Sequence, residues 1–223
     1  MTSFLYEDPR IILSKNMYQT KNLALIRHGE AEHNVRFKYI GKEAYNEKQD
    51  TRLTMLGKNQ ADNLGIKWEN KNKIDLVIVS PLSRALETAT RIFKDMDIPM
   101  ICLDSLTEYP QHSELCNKKR NKSELQKEYP LIDFLRITHE TVKWNPKKKE
   151  SIKELNDRVN FIKKWIFWRK EKNIAIVAHS SFLAQFMHGK IIDEDNQLEH
   201  CHPYTGNIRH NRFSYELEES NYI

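Results

Sequence analysis

The sequence predicts an α/β fold of three layers, with helices on both faces of a mostly parallel sheet. Short apolar runs alternate along the chain with segments of helical periodicity, which is the pattern of such folds. Two of these runs, Leu23–Arg27 and Asn173–Ala178, stop abruptly at a histidine, His28 and His179. A strand covered on both faces reads as an unbroken apolar run. A reactive side chain at its end belongs at the carboxyl edge of an open sheet, where these folds bind ligands.

The elements follow in order. Residues 1–22 mix polar and apolar side chains around Pro9 and read as an irregular or edge segment. Leu23–Arg27 is the first buried strand. A helix is expected over Leu53–Trp68, N-capped by Thr54, with Leu56, Gln60, Ala61, Leu64 and Trp68 at helical spacing. Asp75–Ser80 is the second strand, stopped by Pro81. Ser83–Lys94 returns to helix through Leu86, Ala89, Thr90 and Phe93, and Pro99–Leu103 is a third short strand. Residues 104–150 hold Pro110, Pro130 and Pro146 and most of the charge clusters, so they read as a long, substrate-selecting excursion with short helices. Ser151-Ile-Lys-Glu154 is a capping box opening an amphipathic helix to about Arg169. Asn173–Ala178 is the fourth strand, with a helix through Phe182–His188 behind it. Phe213, Tyr215 and Leu217 alternate with polar residues, as in a closing strand with one wet face.

At 223 residues the chain suits one α/β domain over its whole length, 1–223. A net charge of +5, spread along the sequence, favours anionic partners only weakly. Lys118-Lys119-Arg120 and Lys147-Lys148-Lys149 lack interleaved aromatics, so they read as solvated loops, and no nucleic-acid partner is expected. Cys102, Cys116 and Cys201 are odd in number and unpatterned, as in a reducing compartment. No apolar run reaches membrane-spanning length and residues 1–22 lack the core of a signal peptide, so a cytoplasmic location without membrane partners is expected.

The chemistry starts at Arg27 and His28. A neutral imidazole can attack phosphorus and carry the phosphoryl group covalently, splitting one hard displacement into two easier ones. Neighbouring guanidiniums keep it neutral by repelling the extra proton, and they bind phosphate oxygens in pairs. Gly29 follows at once and allows a close backbone approach. Arg84 falls in the first turn of the helix after Ser80-Pro81, on the same sheet edge as His28 and His179. There its side chain and the helix N-terminus make an anion site.

The stretch Leu25-Ile-Arg-His-Gly-Glu-Ala-Glu-His-Asn34 resembles the signature of the histidine phosphatase superfamily, the phosphoglycerate-mutase-like branch. Three further blocks agree in order: Leu53-Thr-x-x-Gly57-x-x-Gln60-Ala61, Ser80-Pro-Leu-Ser-Arg84-Ala-Leu-Glu-Thr88-Ala89 and Val177-Ala-His179. The likeness implies His28 as nucleophile, with Arg27, Arg84 and His179 holding the phosphate without metal or cofactor. It gives Asn34 a hydrogen bond to the phosphoryl oxygens or an orienting role; a helix-end cap is the plainer reading. Glu30 would support the loop. The likeness also implies a general acid from a glutamate after the third strand: Glu108 follows it most directly, with Glu114 and Asp104 as alternatives. Glu114-Leu-Cys-Asn-Lys-Lys-Arg120, Ser123, Pro130-Leu-Ile-Asp-Phe134 and Trp144 further resemble a subgroup known from plants and fungi, in which Lys118, Lys119 and Arg120 could face a substrate's anionic end.

Two departures stand out. Ser180-Ser181 replaces the glycine that usually follows the second histidine. His200-Cys201-His202 invites a metal reading, but neighbours on an extended chain point to opposite sides and no fourth ligand is suitably spaced, so surface residues are expected. Three functions compete: a metal-independent phosphatase acting on phosphorylated small molecules or phosphoproteins, a phosphoglycerate mutase, and a silent phospho-ligand binder. The excursion lacks clear lid segments of the kind a mutase needs to exclude water, which favours the phosphatase. The oligomeric state is not legible.

Overall fold

A computed structural model describes residues 20–141, 144–191, 197–211 and 214–219. The irregular segment expected over 1–22 lies outside these as far as residue 19, and so does Phe213. Strands β1 (Lys21–Arg27), β2 (Leu76–Val79), β3 (Met100–Cys102), β4 (Asn173–Ala178), β5 (Pro203–Asn211) and β6 (Ser214–Glu219) form one sheet in the order β3-β2-β4-β1-β5-β6. The first four are mutually parallel, and β5 and β6 close the edge antiparallel. The helices are α1 (Glu32–Ile40), α2 (Met55–Lys67), α3 (Ser83–Ile92), α4 (Lys122–Glu128), α5 (Ile152–Phe167) and α6 (Ser180–His188).

Alternation along the strands makes the layers. Leu23, Leu25, Ile174 and Ile176 turn to one face, against Leu155, Val159, Ile162 and Ile166 of α5 and Phe182 and Phe186 of α6. Ala24, Ile26, Val77, Val79, Ala175 and Val177 turn to the other, against Ala61 of α2 and Ala85, Leu86 and Ala89 of α3. Each fully buried Leu or Ile contributes about 1.5–3 kcal/mol, so neither layer can leave the sheet cheaply. The β1–β4 register pairs Arg27 with Ala178. The next residues on the two strands, His28 and His179, are thereby set side by side at the carboxyl edge.

The helix starts follow their sequence signals. Thr54 accepts the Gly57 N–H, and Ser151 with Glu154 forms the capping box. One member of the expected stripe fails: Leu56 is 54% exposed, while Ala61 is buried, Leu64 and Trp68 pack against the core, and Gly57 and Gly65 join the buried face. The backbone contact explains this, since a Cβ on Gly57 would lie 2.0 Å from the Glu30 carbonyl oxygen and one on Gly65 2.9 Å from that of Ile92.

The excursion also differs from expectation. Leu125, Tyr129, Ile132, Phe134 and Ile137 join the core beneath α3, and Ile101 bridges to Asp133. Lys119 is not solvated: it is buried and ion-paired to Asp104 at 3.1 Å. Arg120 pairs with Asp50 and Glu128. Lys147, Lys148 and Lys149 are exposed. Among the described residues no helix is long and apolar enough to cross a membrane.

Candidate active site

Arg27, His28, Arg84 and His179 meet at the sheet edge, and all four are buried, His28 to 2% exposure and His179 to none. The His28 and His179 rings are 5.1 Å apart. Arg84 Nε donates to His28 Nε2 at 3.2 Å, while His28 Nδ1 lies 2.7 Å from the Gly29 carbonyl. A guanidinium can only donate and a carbonyl can only accept. The proton is therefore on Nδ1, and the Nε2 lone pair faces the guanidinium. Burial first, then Arg84, His179 and Arg27, hold the His28 pKa well below the ordinary value of 6.5.

His179 is oriented by Ser80. Ser80 Oγ accepts the Leu82 N–H at 3.3 Å and lies 2.7 Å from His179 Nε2. A hydroxyl can donate one bond and accept two, so this contact fits either tautomer of His179; with Ser80 as the donor, the ring proton is on Nδ1. Among the described residues His179 Nδ1 and Arg27 Nε are buried without a hydrogen-bond partner. Arg27 Nε is a donor, and His179 Nδ1 is one in the tautomer that accepts from Ser80. Burial, followed by the nearby Arg84 charge, lowers the Arg27 pKa to about 10, with Glu108 opposing.

The first N–H of α3, expected beside Arg84 in an anion site, is taken by a carboxylate of the chain itself. The Ser83 N–H and Oγ both bond the buried Asp50 carboxylate, at 2.8 and 2.6 Å, so α3 is capped from a distance. The Arg84 fork is held by the Cys116 carbonyl and Asn117 Oδ1, both at 2.8 Å.

Of the candidate acids, Glu108 is the one tied to the helix start that follows His179, and it is half-buried there. Its carboxylate accepts N–H groups from Tyr109 at 2.7 Å, Phe182 at 3.0 Å and Ser181 at 3.3 Å, the last two at the start of α6. Burial raises its pKa, opposed by these bonds and by Arg84. Glu114 accepts from Asn117 Nδ2 at 3.0 Å and so supports Arg84 indirectly. Asp104 is taken up by Lys119.

Asn34 caps α1, its Oδ1 accepting the Ala31 N–H at 2.9 Å, and its Nδ2 lies 3.2 Å from His33 Nε2. Glu30 accepts the Thr54 hydroxyl at 2.8 Å and supports the loop. Ser180 Oγ accepts the Leu198 N–H at 3.0 Å.

Several residues escaped the sequence reading. His33, inside the first motif, has its ring 6.0 Å from that of His28. His200, expected at the surface, is 5.6 Å from His28 and donates from Nδ1 to the His28 carbonyl at 2.6 Å. Cys201 is buried, its N–H on the Arg27 carbonyl at 2.9 Å, and only His202 of that trio is exposed. Asp50 and Asn117 were also passed over. Asp50 lies three residues before the Leu53 block, which is a positional hint. His33, Asn117 and His200 lie in stretches the sequence analysis quotes, but nothing in them marks these side chains out from their neighbours.

The model of the histidine phosphatase superfamily, branch 1, matches residues 23–219. A phosphoglycerate mutase-like protein of Arabidopsis thaliana is 34% identical over 209 residues, covering 75% of this chain and 73% of that relative. In fold the chain is similar to the alpha-ribazole phosphatase of Shigella flexneri, with TM-score 0.56 and 23% identity over 90% of this chain and 96% of that one. A mycobacterial glucosyl-3-phosphoglycerate phosphatase gives TM-score 0.57 and 17% identity over 91% of this chain and 100% of the other. At these identities the two structures speak for the fold alone.

Proposed function

The chain belongs to the histidine phosphatase superfamily, branch 1, and on that premise we propose that it hydrolyses phosphomonoesters of small molecules through a phosphohistidine on His28. The observation that carries the reading is the Nε2 lone pair of a neutral, buried His28 held 3.2 Å from Arg84 Nε. An in-line attack by Nε2 on phosphorus forms the N–P bond as the ester P–O bond breaks. Arg84, Arg27 Nε and His179 Nδ1 are donors already in place for the equatorial oxygens, so little reorganisation accompanies the charge they stabilise. Protonated Glu108 gives its proton to the leaving alkoxide. Water then attacks the phosphohistidine and loses a proton to Glu108, which releases inorganic phosphate and restores His28. Two guanidiniums at the centre disfavour a bound cation, which supports a metal-independent mechanism.

A second reading, a mutase that returns the phosphoryl group to substrate, has the name of the Arabidopsis relative in its favour. Labelling with a phosphorus-32 monoester separates the readings. An acid-labile, base-stable label is expected on the wild-type protein and none on His28→Ala, and the label should pass to water. Transfer to a sugar acid would favour the mutase; an unlabelled wild type, or normal turnover by His28→Ala, would overturn the nucleophile.

A further inference from the structure

We infer that the segment 197–200, which no catalytic motif includes, is a positioning strap, with Gln197 orienting the phosphate-binding Arg27 and His200 orienting the nucleophile His28. The inference rests on the phosphohistidine reading above. The strap leads into β5 and crosses the end of β1, where Arg27 and His200 form a parallel bridge. Its Leu198 carbonyl accepts from Arg27 Nη1 at 2.6 Å, and Gln197 Oε1 accepts from Arg27 Nη2. With both fork nitrogens held, the guanidinium plane is fixed and Nε, buried without a partner, is the group turned to the phosphoryl site. At its far end the strap is tied back by the Leu198 N–H on Ser180 Oγ and by the Cys201 N–H on the Arg27 carbonyl.

His200 completes the fixing of His28. The His28 N–H bonds the Ala178 carbonyl at 3.0 Å, its carbonyl accepts from His200 Nδ1 at 2.6 Å, and its own Nδ1 is on Gly29. Every polar group of the nucleophile is thus anchored to neighbouring backbone or to the strap except Nε2. A carbonyl partner requires a donor at His200 Nδ1, and an asparagine amide nitrogen falls in nearly the same place. A hydrocarbon side chain of similar size cannot replace it.

The two contacts act on different quantities. Misdirecting the His28 ring slows attack without loosening substrate, whereas freeing the Arg27 fork weakens the hold on phosphate. The test follows turnover of p-nitrophenyl phosphate, inhibition by inorganic phosphate and the single-turnover rate of His28 labelling. His200→Leu should lose about 10- to 100-fold in kcat and labelling rate with KM nearly unchanged, and His200→Asn should recover most of it. Gln197→Leu should raise KM and the phosphate inhibition constant about tenfold with a smaller loss in kcat, the loss of one hydrogen bond to a charged group. Wild-type kcat in folded His200→Leu, or His200→Asn no better than His200→Leu, overturns the strap. If His200→Leu does not fold, the KM-against-kcat split of Gln197→Leu decides alone. A wild type that is never labelled sinks the phosphohistidine reading, while a changed phosphate inhibition constant in Gln197→Leu still supports the strap's hold on Arg27.

Discussion

The surroundings of His28 disfavour its protonated form, and burial raises the Glu108 pKa against the pull of three N–H donors and Arg84. The two pKa directions are opposite in consequence: His28 goes down and Glu108 goes up. These directions are the ones that the proposed nucleophile and the proposed acid require. For esters with poor leaving groups, kcat/KM is expected to fall as pH rises through the raised Glu108 pKa, measured as a pH profile. p-Nitrophenyl phosphate, whose leaving group needs no proton, should lack that limb. Glu108→Gln should likewise slow poor leaving groups by about 10²–10⁴-fold and leave p-nitrophenyl phosphate far less affected. Equal losses on both would move the acid elsewhere. At this scale the sequence reading located Arg27, His28, Arg84 and His179 because each is tied to an abrupt change from apolar strand to polar end. Asn34 was ambiguous because one amide can serve a cap or a ligand, and its Oδ1 is on the Ala31 N–H.

Among the elements, α2 shows where periodicity misleads. Its apolar residues Met55 and Leu56 are exposed, and its contact face is Gly57, Ala61 and Gly65. The helix meets the turn after His28 backbone to backbone, and a side chain there has nowhere to go. Gly57→Ala should destabilise by about 1–3 kcal/mol in urea unfolding, the usual cost of overpacking, and lower kcat by disturbing the Gly29–Glu30 turn. Leu56→Ala should stay within about 0.5 kcal/mol, as for an ordinary surface change. The reverse order would show that the apolar stripe, and not the glycines, carries the packing. The α3 N-terminus was misjudged for a related reason. A helix start with a nearby arginine reads as an anion site from sequence, but Asp50 from a preceding turn supplies the carboxylate internally. No rule of local spacing joins residues 50 and 83.

Over the whole molecule, charge burial should govern the response to acid. His28, His33, His179 and His200 all have pKa values pushed below 6.5, chiefly by burial, with His200 near 4. The unfolded chain takes up protons that the folded one refuses, so their contribution is complete above about pH 6.5 and is lost as pH falls towards the folded values. Glu108 and Asp50, raised by burial, work in the opposite sense and offset part of this. The urea midpoint should therefore drop between pH 7 and pH 5, and a midpoint that holds or rises would contradict the balance. The sequence by itself determined the four parallel strands, the helix starts at Thr54 and Ser151, and the four side chains at the sheet edge, because each is written in contiguous residues through periodicity, caps and strand ends; β5 it did not show. Only the tertiary structure decided that residues 197–201 bind back onto Arg27 and His28, that Asp50 caps the helix of Arg84, and that Lys119 is buried. Those contacts join residues 33 to 174 positions apart, or set a charge under a neighbouring loop, and burial of that kind leaves no mark on local pattern.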